Sequence, residues 1–79
     1  MTQTAKNVRK LVSAKELSQA TQVSYAAINN YTDMGLLDIV AKEHRVRMYD
    51  AALAKERLMM IGKLISEGYT LRVIGKLLR

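Results

Sequence analysis

Two adjacent asparagines, Asn29 and Asn30, stand in the stretch QVSYAAINNYTDMGLL, residues 22–37. An asparagine amide carries a donor and an acceptor side by side, and that pair matches N6 and N7 of adenine in the major groove of duplex DNA. At helical spacing Ser24, Ala27, Ile28 and Tyr31 share one side, while Tyr25, Ala26, Asn29, Asn30 and Asp33 turn towards solvent or a ligand. Asn29, Asn30 and Ala26 are therefore the candidates for contact with base edges. The plain alternative for the asparagines is a solvated amide of poor helix propensity. Tyr25, in the first turn, is placed to give its hydroxyl to a phosphate, or else to cover the turn with a half-buried ring. Tyr31 is expected to bury its ring at the core edge and keep its oxygen wet. Asp33 lies at the end of the helix that leaves a groove, and is expected to be solvated.

Positive charge gathers elsewhere. Lys42, His44, Arg45 and Arg47 fall within six residues, opposed only by Glu43. Such a cluster on a hairpin reaches backbone phosphates or the neighbouring minor groove, where the local potential favours arginine. The alternative is an ordinary charged loop. Lys15, with Lys6, Arg9 and Lys10 before it, adds a second source of phosphate contacts. His44 is the single histidine and there is no cysteine, so no ligand set at metal spacing can be drawn. A glycine-rich phosphate loop and a readable carboxylate pair are missing as well, which gives no support for an enzyme or a cofactor.

The elements that must hold these groups can be read from caps and periods. Residues 1–10 read as a loosely held basic arm, and residues 11–79 as one domain. Ser13 and Glu16 form the S-x-x-E capping box that opens helix 1, residues 14–21, with Val12 placed as a hydrophobic staple and Leu17 and Ala20 facing inward. Ser24 caps helix 2, which runs to about residue 34 and ends at Gly35 as a left-handed cap. Two β-rich pieces, residues 37–41 and 46–49, flank a charged tip at 42–45 and predict a two-stranded hairpin. Asp50 caps helix 3, residues 51–67, whose apolar stripe is Leu53, Ala54, Leu58, Ile61, Leu64 and Ile65. Gly62 inside it predicts a close helix contact. Gly68 ends that helix, Thr70 caps helix 4, and Leu71, Ile74, Leu77 and Leu78 line one side of it. The expected fold is mainly α: a winged helix-turn-helix with a hairpin wing and two further helices.

The order of these pieces resembles the DNA-binding domain of the mercury-resistance regulator (MerR) family over about residues 11–78. "VSAKELSQATQVS" is similar to the family's opening helix and turn. "YTDMGLL" resembles its tyrosine, three residues, then Gly-Leu-Leu, here Tyr31, Gly35, Leu36 and Leu37. "RVRMYD" resembles the wing's Arg-x-Tyr, here Arg47 and Tyr49, and "LISEGYTLRVIGKLL" the family's Gly-aromatic-Ser/Thr-Leu ending. The resemblance implies binding to double-stranded DNA with helix 2 in the major groove and the wing on flanking backbone. It implies a phosphate contact for Arg47 and allows one for the Tyr31 hydroxyl. It implies, too, transcriptional control through distortion of promoter DNA, where RNA polymerase is met indirectly. Family members continue into a long dimerising helix and an effector region, which would make a homodimer of a longer native chain. Helix 2 here departs from the family in holding no arginine.

The bulk numbers agree with this reading without locating it. The 79 residues carry a net charge of +6, which favours polyanions, but residues 1–49 and 50–79 hold equal excesses of positive charge. No apolar run has the length of a membrane span, no signal peptide is readable, and the absence of cysteine fits a reducing compartment; a cytoplasmic location is expected. Two other functions share the scaffold. One is an excisionase-like or architectural protein that bends DNA; the other is a protein-interaction module whose exposed Met59 or Met60 and last helix dock onto a partner.

Overall fold

Each helix starts where a short polar side chain satisfies a backbone donor that has no partner in the helix. The computed structural model describes residues 10–78. Ser13 Oγ accepts from Glu16 N at 3.2 Å while Glu16 Oε1 accepts from Ser13 N at 2.9 Å, a complete capping box that opens α1 (Ala14–Thr21). Ser24 accepts from Ala27 N ahead of α2 (Tyr25–Asp33). Asp50 accepts from Leu53 N ahead of α3 (Ala51–Ser66), and Thr70 from Val73 N ahead of α4 (Leu71–Leu77). All four starts fall where the sequence places them. Gln22, at φ +67°, closes α1 in the left-handed region that glycine more often fills. Gly35, at φ +82°, turns the chain after α2 so that Leu36 N reaches Tyr31 O at 2.8 Å.

The sheet differs from the expected hairpin. Three strands are present, β1 (Leu11–Ser13), β2 (Ala41–Glu43) and β3 (Val46–Asp50), antiparallel in the order β1-β3-β2. Val12, expected only as a staple, is a buried strand residue opposite Tyr49. Its partner explains this: β3 exposed on one edge would leave backbone donors and acceptors unpaired, and β1 fills them. Three residues are too few to show a period, which is why the sequence hides this strand. The chain from Leu37 to Val40 is not in a strand, since Leu36 and Leu37 turn inward to the core first. The tip shortens to two residues, because Glu43 pairs with Val46 and leaves only His44 and Arg45 to turn. Residues 1–9 of the expected arm lie outside the described residues; the carbonyl of Lys10 accepts from Ala51 N at 2.9 Å.

The core has two adjoining parts. Leu17, Ile28, Tyr49 and Leu58, with Val12 and Leu37, join α1, α2, α3 and the sheet. Leu36, Ile61 and Ile74 join the end of the α2 turn to α3 and α4, and the half-buried ring of Tyr31 packs against both parts. Four expected core positions lie outside it: Ala20, Leu53, Ile65 and Leu77 are exposed. A stripe drawn from apolar residues alone is wider than the face a single packing partner covers. Gly62 also departs from expectation, since a Cβ built there meets open space.

Candidate nucleic-acid interface

The helix-turn-helix and the wing meet along one side of the molecule. The first turn of α1, the exposed side of α2 and the β2–β3 tip line a groove of about 420 Å³, with Lys15, Tyr25, Asn29, Arg45, Val46 and Arg47 on its walls. Asn29 is half-buried in it, Tyr25 is 57% exposed, and Lys15 and Arg45 are exposed at its rim. Ala26 and Asn30 are exposed on α2 outside the groove lining. Lys42 and His44 are exposed on the wing, again outside the lining. Of the ten candidates from the sequence, the structure thus gathers Lys15, Tyr25, Asn29, Arg45 and Arg47 into a single concavity. Tyr31 points inward to the core, as its angular position indicated.

What sets the spacing of wing and helix is a row of side chains on β3. Residues two apart on a strand share a face, so Arg47 and Tyr49 point together towards α2. Tyr49 is fully buried and its hydroxyl lies 2.8 Å from Thr32 Oγ1. Thr32 already donates its proton to Ile28 O at 2.8 Å, so Tyr49 is the donor in that pair. One strand position away on the same face, Arg47 Nη2 donates to Asp33 Oδ1 at 2.7 Å and Nη1 donates to Asn29 Oδ1 at 3.5 Å. The hydrogen bond with Asp33 raises the Arg47 pKa, with the carboxylate charge adding to it and partial desolvation opposing it. Arg47 therefore keeps its charge throughout the working range of pH. Its cross-strand neighbour is Lys42, and two like charges in that relation repel. Asp33 supplies the counter-charge.

Asp33 is the residue that the sequence reading missed. It was expected to be solvated; it is 63% exposed, yet it is the anchor of the wing arginine. A partial signal existed, since Asp33 follows Asn29 by four residues and so shares its helix face. Nothing in the sequence sets how far along α2 the strand β3 lies. Thr32 and Tyr49 were missed as a pair for the same reason.

Comparison with family-wide sequence patterns matches residues 12–79 to the MerR HTH family of regulatory proteins. The chain belongs to the MerR HTH family. The matched span covers the helix-turn-helix, the wing and both later helices, so the groove lies inside a MerR HTH DNA-binding domain of a transcriptional regulator, a non-catalytic family. Comparison with curated proteins and with solved structures returned no significant match. Among the described residues no cluster of His, Asp or Glu could hold a metal ion, and no helix is long and apolar enough to cross a membrane.

Proposed function

We infer that this MerR HTH domain binds double-stranded DNA sequence-specifically, with α2 in the major groove and the β2–β3 wing on flanking phosphates, to control transcription at a promoter. The observation that carries the reading is the shared groove: an amide-bearing helix and a cationic hairpin tip open onto the same concavity. A recognition helix reads bases only if neighbouring contacts hold it in register on the backbone. Lys15 and Arg45 stand on either side of Asn29 and supply such contacts, with Tyr25 offering a hydroxyl from the first turn of α2. Lys42 and His44 extend the positive surface along the wing. Asn30 and Ala26 complete the helix face towards the bases.

The helix itself brings no basic residue, so affinity rests on the rim and the wing while selectivity rests on amides. Arg47 is balanced by Asp33, which leaves Lys15, Lys42 and Arg45 as the cations that release counterions on binding. Titration of labelled duplexes over a series of salt concentrations measures this directly. Three such contacts give a slope of log K against log salt of about −2.7, more negative by about 0.9 for each further phosphate neutralised. Asn29→Ala should flatten the preference among duplexes, while Lys42→Ala should weaken all of them equally and reduce the slope. Absence of binding at low salt would remove the reading.

A further inference from the structure

The contact between Arg47 and Asn29 bears on which base the domain selects. A guanidinium has donors and no acceptor, so the amide atom that faces Arg47 must be the carbonyl oxygen. Arg47 in turn is held in place by the 2.7 Å ion pair with Asp33, one helical turn beyond Asn29 on the same face of α2. The contact with Asn29 is long, 3.5 Å, but the charge that makes it is fixed, and a fixed cation repels the amide NH₂ as it attracts the oxygen. Tyr49, anchored on Thr32, fixes the strand that carries Arg47. The orientation of the Asn29 amide is therefore set by the wing.

Resting on the DNA-binding reading above, we propose that Arg47 is a positioning residue that occupies the Asn29 carbonyl and leaves its NH₂ group as the part presented to the major groove, so that Asn29 selects guanine rather than adenine. The bidentate adenine match needs the carbonyl to accept from N6 and the NH₂ to donate to N7. With the carbonyl taken, adenine N6 faces a donor and has no acceptor. Guanine offers N7 and O6, two adjacent acceptors, to the same NH₂ group. One sequence element thus reads differently because a second element, eighteen residues on, has turned it.

The test is selection from randomised duplexes followed by competition binding. The position read by Asn29 is the one whose preference disappears in Asn29→Ala. Wild type should select guanine there over adenine by about 5- to 150-fold, the range a matched amide contact supplies. The double variant Asp33→Asn/Arg47→Met removes one charge of each sign, so the net charge and the salt slope should stay as they were. It frees the carbonyl, and the preference at that one position should move to adenine. A role for Arg47 in general affinity or in folding alone would not exchange one base for another. Adenine at that position in the wild type would overturn the proposal with no variant needed, and so would guanine retained in the double variant. No binding of any duplex by wild type would instead remove the DNA-binding reading itself, and this proposal with it.

Discussion

Arg45→Gly should make the domain more stable and a weaker binder of DNA in the same step. His44 and Arg45 form the two-residue turn of the wing with φ of +51° and +70°, both left-handed. Two consecutive residues of this kind make the turn twist with its strands, and glycine or asparagine usually fills them. A residue with a Cβ costs about 1–2 kcal/mol in that region. Glycine avoids this but loses more chain entropy on folding, about 0.5–1 kcal/mol. The balance is a gain of about 0.5–1 kcal/mol, which for a domain of this size raises Tm by about 2–8 °C. The DNA side moves the other way. Loss of one phosphate contact lowers the salt slope by about 0.9, which amounts to about eightfold in affinity at about 0.1 M salt and fades towards about 1 M. Circular-dichroism melts and anisotropy titrations on the same preparation read both. A fall in Tm would refute the strain argument. An affinity loss of equal size at every salt concentration would refute the phosphate role of Arg45. If both expectations hold, the tip keeps an arginine against its own backbone preference, as strained positions at functional sites do.

Tyr49→Phe should lower stability by about 0.5–1.5 kcal/mol, because it removes the hydroxyl donor to Thr32 at a fully buried position. Urea unfolding should show a lower midpoint at an unchanged slope; an unchanged midpoint would mean the pair does not anchor the wing. Gly62→Ala should stabilise by about 1 kcal/mol, since the site is mid-helix and a Cβ there meets open space. A loss of stability in the same urea assay would show that the face at residue 62 has a contact beyond the described residues.

The helix starts were legible because a cap is a local event. Ser13, Ser24, Asp50 and Thr70 each bond a backbone N–H three residues on, and no distant residue has a say in it. The exposed side of α2 was legible for a similar reason, since a helical period alone separates Ile28 from Asn29. The third strand was not. Leu11–Ser13 becomes a strand only because the free edge of β3 lies beside it, and an edge to be filled is a property of the assembled sheet.

The candidate site divides in the same way. The sequence by itself determined the kinds of group present: amides on one helix, cations on a hairpin, and no catalytic set among them. It determined the family as well, since motifs in order survive without coordinates. Only the tertiary structure decided that Arg47 meets Asp33 and Asn29 and that Tyr49 meets Thr32. Those meetings join residues fourteen to eighteen apart along the chain. Their geometry depends on how far β3 slides along α2, which the packing of Tyr49 against Val12, Ile28 and Leu17 sets in three dimensions. A local period has no access to that distance, so the partner of a side chain is a tertiary fact even where its type and its face are not.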